Sequence, residues 1–217
     1  MTENLRELGV VKLVQVQPSG LIIKTGTDYT YDPSRRVEVD QLRITPEGIE
    51  AVTPDGEHVL DIHHTAHPQT HSEGDNAISI GFTYHYTEMR KRFGKHMVDG
   101  IAGENIIIDF EEEIWLDDLG QQIAMENPRT GRRVLLNVIQ FAAPCDEFSH
   151  FAAQSQHKRL PADKLKAILQ FLGNGRRGFL LSLSERQDSG IVHRGDRVFV
   201  VGKGQSARTF IREIFAS

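Results

Sequence analysis

In the stretch Val134-Leu135-Leu136-Asn137-Val138-Ile139-Gln140-Phe141-Ala142-Ala143-Pro144-Cys145-Asp146-Glu147-Phe148, a strand ends and a helix begins within a few residues. β-branched and aromatic residues favour a strand up to Ala142. Asp146 suits the cap of a helix running to His157, with Phe148, Phe151 and Ala152 on one side. Cys145, the only cysteine, therefore falls at a strand end just ahead of a helix N-terminus. Unpaired N–H groups and the positive end of the helix dipole favour a thiolate there. A thiolate can attack, carry sulfur or ligate a soft metal. The competing reading is burial, because a free cysteine commonly fills space as a small hydrophobe.

Outward from this stretch the chain alternates short β segments with turns. Strand patterns occupy Val10–Val16, Leu21–Thr25, Val37–Ile44, His58–Ile62, Ala77–Phe82, Asn105–Phe110, Gln121–Met125, Arg133–Phe141, Gly178–Ser184 and Arg197–Val201. Pro18-Ser19-Gly20, Pro54-Asp55-Gly56, Asn127-Pro128-Arg129 and Gly173-Asn174-Gly175 punctuate them. Many short strands with few helices predict a mainly β protein built on a closed or nearly closed barrel. Two further helices are predicted. Thr83 to Phe93 sets Tyr86, Met89 and Phe93 in a core-facing stripe. Pro161 to Leu172 has proline first, Asp163 in the first turn, Leu165, Ile168, Leu169 and Leu172 as its apolar face, and Gly173 after it. With no repeat and no linker evident, residues 1–217 read as a single domain.

Composition bounds the function classes. The 217 residues carry 39% hydrophobic and 25% charged side chains, as in ordinary soluble domains. One cysteine excludes an intrachain disulfide. No apolar run approaches the roughly 18–20 residues that span a bilayer, and residues 1–6 lack a signal-peptide pattern, so a cytoplasmic location without membrane attachment is expected. A formal charge of −5 argues against broad nucleic-acid binding. Basic clusters at Arg90-Lys91-Arg92, Arg132-Arg133 and Arg176-Arg177 read as solvated surface unless the fold gathers them into one anion pocket.

Seven of the ten histidines lie between His58 and His96. His63-His64-Thr65-Ala66-His67 with His71 invites a metal reading, but the spacing matches no closed zinc pattern. A loop lining a polar pocket is the better expectation. Gly103-Glu104-Asn105 precedes a strand, where glycine permits close backbone approach and Asn105 offers both donor and acceptor; a tight turn would explain it equally. No nucleotide-binding glycine loop or serine elbow is present.

In order and spacing, several of these segments resemble the MOSC domain, the module named for the C-terminal part of molybdenum-cofactor sulfurases. His71-Ser72-Glu73-Gly74-Asp75-Asn76-Ala77 is similar to the family's His-Gly-Gly-x-Asp-Arg-Ala, and the aromatic helix from Tyr84 follows it. Ala102-Gly103-Glu104-Asn105-Ile106 is similar to Phe-Gly-Glu-Asn-Leu. Pro144-Cys145, 40 residues beyond Asn105, stands where the family has Arg-x-Pro-Cys. Gly178 to Leu183 and Val192-His193-Arg194-Gly195-Asp196 match its closing strand and turn. The resemblance spans about 37–201. It implies a MOSC-type β-barrel with Cys145 at a pocket mouth, acting as a sulfur carrier or as a ligand of molybdenum in molybdopterin. Some relatives reduce N-hydroxylated compounds, and the fold is also linked to pyridoxal phosphate. Such roles imply a cysteine desulfurase or an electron-transfer protein as partner.

On this reading Cys145 is the reactive residue. Gly103, Glu104, Asn105, His71 and Asp75 edge the cofactor pocket. Asn76 and Ala142 replace two family arginines, and Arg90, Arg92, Arg176 or Arg177 are candidates to take over their phosphate contacts. The alternative is a binding module that keeps the barrel without cofactor chemistry. Whether the chain is an enzyme, either a molybdenum-dependent oxidoreductase or a sulfur transferase, stays open at this point.

Overall fold

The computed structural model describes residues 5–26, 28–70, 78–156 and 158–202. Its strands run β1 (Leu5–Val16), β2 (Ile22–Thr25), β3 (Asp28–Tyr31), β4 (Val37–Glu38), β5 (Gln41–Thr45), β6 (Gly48–Val52), β7 (His58–Leu60) and β8 (Ile78–Phe82). Helix α1 (Thr83–Phe93), β9 (Ile106–Asp109), α2 (Leu116–Leu119), β10 (Gln122–Glu126) and β11 (Arg133–Phe141) follow. The described chain finishes with α3 (Asp146–Ala152), α4 (Ala162–Leu172), β12 (Phe179–Leu183), β13 (Gly190–His193) and β14 (Arg197–Val201).

Seven strands close a barrel in the order β1-β14-β10-β11-β12-β8-β9 and back to β1. Neighbours are antiparallel except β8 and β9, which run parallel with Ile80 opposite Ile106. A parallel pair needs a crossover, and α1 supplies it. Both faces of β9 are therefore covered. Ile106 and Ile108 join the barrel core, while Ile107 belongs to a second cluster with Tyr86, Met89, Phe148 and Leu172 under the helices. The antiparallel sheet β13-β5-β6-β7 adds Leu42, Ile44 and Ile49 to the barrel core. Each such fully buried side chain contributes about 1.5–3 kcal/mol.

The mainly β barrel agrees with the sequence reading, and α1 has the expected bounds. Three differences bear on the site. The helix after Cys145 stops at Ala152 rather than His157, because Gln154 takes a left-handed φ of 53°. Its N-cap is Cys145 rather than Asp146, with the sulfur accepting from Phe148 N at 3.5 Å. The strand β3, invisible in the sequence pattern, brings Tyr31 edge-on to Phe148, with ring centroids 5.1 Å apart.

Candidate functional site: a cavity at one barrel rim

Residues just after β1 and β11 and just before β9 and β12 come together around Ser79 of β8 at one side of the barrel. A cavity of about 640 Å³ opens there, within the range of small-molecule sites. Its wall includes Gln17, Lys24, Tyr31, Arg35, His63, Ser79, Gly103, Glu104, Ala142 and Arg177.

The wall is held by polar groups that the apolar periodicity did not reveal. Gln15 and Gln17, buried at the end of β1, donate from their side-chain amides to the carbonyls of Gly100, Glu104 and Gly103 at 2.8, 2.6 and 2.6 Å. These bonds fix the 100–104 loop against the barrel. Asp61, wholly buried, accepts from Gln17 N at 2.9 Å and from Asn105 Nδ2 at 2.8 Å. It also accepts from His63 N at 3.0 Å and from His63 Nδ1 at 2.8 Å. The one sequence signal for Asp61 was its place two residues before a histidine, the spacing of a side-chain-capped turn.

Glu104 is 2% exposed. The Tyr86 hydroxyl accepts from Ala102 N at 3.1 Å and donates to Glu104 Oε2 at 2.5 Å. Oε1 is buried without a hydrogen-bond partner among the described residues. Two glycines make room for this carboxyl. A Cβ on Gly81 would lie 2.8 Å from Oε1, and one on Gly178, whose φ is +103°, would lie 2.9 Å from Glu104 Cγ. Burial pushes the carboxyl up to about 7, against the pull of the Tyr86 hydroxyl, the Arg177 guanidinium and Arg36. The Arg177 Nε is also buried with no partner among the described residues, while Nη1 donates to Ala143 O at 2.9 Å. Two unpaired polar atoms of opposite character thus sit on residues of one cavity wall, each at a cost of about 1–3 kcal/mol.

Of the residues expected from sequence, Gly103, Glu104 and Arg177 line this cavity. Asn105 does not. Its Oδ1 accepts from Ser79 N and Oγ, and its Nδ2 donates to Asp61, so it is a strut behind the wall rather than a cofactor contact. Arg92 is also elsewhere, lying 4.3 Å over the Phe171 ring and donating to Ala167 O. Arg90 pairs with Asp99, and Arg176 with Glu113, so the basic clusters do not converge into one pocket. His71, Asp75 and Asn76 lie outside the described residues. His63 lines the cavity, as a loop bordering a polar pocket should. Among the described residues no three histidine, cysteine, aspartate or glutamate side chains come together to hold a metal.

Cys145 stands beside the cavity, not on its wall. It is half-buried against the helical cluster. The expectation of a favoured thiolate is corrected here. Burial pushes the thiol up, and the Arg177 guanidinium and the Phe148 N–H only partly offset it, with Glu147 adding to the rise. Accordingly, the thiol should titrate above the free value of about 8.5 and react with iodoacetamide at pH 7 several-fold more slowly than glutathione. Faster reaction would restore the activated thiolate.

No protein-family model matches the chain, and no curated protein matches it. Solved structures do. The YuaD protein from Bacillus subtilis, 14% identical, matches with a TM-score of 0.54 over 93% of this chain and 99% of that one. YiiM from Escherichia coli, a MOSC-domain protein, is 17% identical with a TM-score of 0.51, over 89% of this chain and 70% of that one. At these identities the likeness carries the fold, a MOSC-type β-barrel. No helix among the described residues is long and apolar enough to cross a membrane.

Proposed function

We propose that this chain binds a phosphate-bearing small molecule in the rim cavity. The observation that carries this reading is the wall itself, where Lys24, Arg35 and Arg177 border about 640 Å³ and the Arg177 Nε has no hydrogen-bond partner among the described residues. A guanidinium recognises phosphate oxygens through charge-assisted, often paired, hydrogen bonds. Arg177 reaches the neighbourhood of Ala142, where the MOSC pattern has arginine, from the chain just ahead of β12. Molybdopterin and pyridoxal phosphate, the ligands the resemblance implies, both carry such a phosphate. The test is calorimetric titration with inorganic pyrophosphate. Wild type should bind, and Arg177→Ala should weaken binding about ten-fold or more. Equal affinity in the two proteins would refute the assignment.

The metal end of molybdopterin does not fit these residues. Cys145 is off the wall, its sulfur already accepts the Phe148 N–H, and burial disfavours its thiolate. No chemical step through molybdenum is therefore derived, and the reading favoured is a binding module that keeps the barrel. A second reading, sulfur or molybdenum handling at Cys145 with a cysteine desulfurase or electron-transfer partner, is supported by one observation: the Arg177 charge acts directly on the thiol. Stoichiometric molybdenum and pterin in purified wild type, lost in Cys145→Ser, would move the weight to it. So would a persulfide on Cys145 after incubation with a desulfurase.

A further inference from the structure

Asp61 receives four N–H donors on its two oxygens, two of them from His63. Gln17 N, His63 N and Asn105 Nδ2 all donate to Asp61, and an acceptor-only carboxylate pairs with His63 Nδ1 when that nitrogen carries the ring hydrogen. This bond sets the orientation of the ring. Nε2 is left without a hydrogen bond among the described residues, on a side chain 48% exposed that lines the cavity. The neighbouring histidines are used differently. His64 Nδ1 accepts from Ala66 N, His67 Nδ1 accepts from Gln69 N, and His67 Nε2 meets the Pro18 carbonyl at 3.1 Å. They brace the loop, whereas His63 offers a nitrogen to whatever enters.

We infer that His63, oriented by the buried Asp61, is a ligand-contacting residue of the rim cavity that meets a phosphate oxygen as an imidazolium, so that binding is accompanied by uptake of a proton from solution. The inference rests on the reading of this cavity as a phosphate site. A dianion bound at Nε2 favours the charged ring. The other titratable and charged groups that share the cavity are Lys24 from β2, Tyr31 from β3, Arg35 from the following turn, Glu104 ahead of β9 and Arg177 ahead of β12. Of the histidines and carboxyls on this wall, Glu104 is the other group that could take up a proton near neutrality, so the test must separate it from His63.

The test uses the full chain and inorganic sulfate, a tetrahedral dianion whose own charge is constant between pH 6 and 8. The His63 ring signals are followed by NMR and assigned with His63→Gln. Sulfate should shift the wild-type ring titration to higher pH and bind up to ten-fold more tightly at pH 6 than at pH 8, the limit for one proton whose titration moves by about one unit. His63→Gln should remove most of that pH dependence, whereas Arg177→Ala should weaken binding at both pH values. The wild-type ring titration stands as a readout even if the variant is perturbed. A His63 ring indifferent to sulfate while pyrophosphate binds would overturn the inference and leave the phosphate site standing. Loss of the pH dependence in Glu104→Gln with its retention in His63→Gln would also overturn it. Failure of wild type to bind either anion would sink both.

Discussion

Asp61→Ala is expected to destabilise the protein by about 3–5 kcal/mol, the range for removing one member of a buried charged hydrogen-bond network. The carboxylate is 0% exposed and is the shared acceptor for the end of β1, the start of β9 and the loop after β7. Its removal leaves Gln17 N without its acceptor and Asn105 Nδ2 with only a longer bond to Gln15 O at 3.4 Å, and water is poorly placed to replace the lost oxygen. Each buried donor left unsatisfied costs about 1–3 kcal/mol. Asn105 retains its bonds to Ser79 through Oδ1, so the damage should remain local to the rim. Asp61→Asn keeps one acceptor oxygen but turns an NH₂ toward two donors, and should fall between wild type and alanine. Urea denaturation checks this as a shift in midpoint at unchanged slope. A loss below about 1 kcal/mol would mean that the rim does not depend on this acceptor.

The barrel was legible because its strands obey a simple rule. Val134 and Leu136 alternate inward along β11, and Val198 and Val200 do so along β14, so the periodicity of two is written in the residues. The strand β3 was missed because Asp28-Tyr29-Thr30-Tyr31 is a four-residue hairpin arm whose fourth residue is buried by distant partners, the Phe148 and Phe151 rings and the Ile101 carbonyl. The site was half legible. Gly103, Glu104 and Arg177 lie on the wall, but the same sequence motif that placed Glu104 there also pointed to Asn105, which packs behind it. Motif spacing fixes position along the chain and not the side of a wall. The thiol expectation failed on a balance of magnitudes. The helix terminus does supply an N–H to the sulfur, yet α3 has only seven residues and desolvation outweighs it. Gln15, Gln17 and Asp61 were invisible because buried polar struts follow no periodicity. They are selected by long-range partners such as Gly100, 85 residues away from Gln15.

The second large effect is a pH dependence traceable to Glu104. Its carboxyl is raised by burial from an ordinary 4.5 to about 7 in the folded protein. Below pH 4.5 both folded and unfolded chains hold the proton, and the contribution to stability is fully present. As pH rises toward 7 the unfolded chain ionises first, so the folded state loses stability until its own carboxyl ionises. The loss should level off above pH 7 at about 3 kcal/mol. Glu104→Gln cannot ionise and should lack this component, while its amide oxygen can still accept from Tyr86. The stability difference between variant and wild type should therefore grow by about 3 kcal/mol in the variant's favour between pH 4.5 and 7, measured by urea denaturation at each pH. Other titrating groups cancel in that difference. A difference that stays flat across the interval would mean that the carboxyl ionises normally, with Oε1 reached by water or by a partner. In that case the unpaired oxygen would no longer count among the features that make this wall a binding surface.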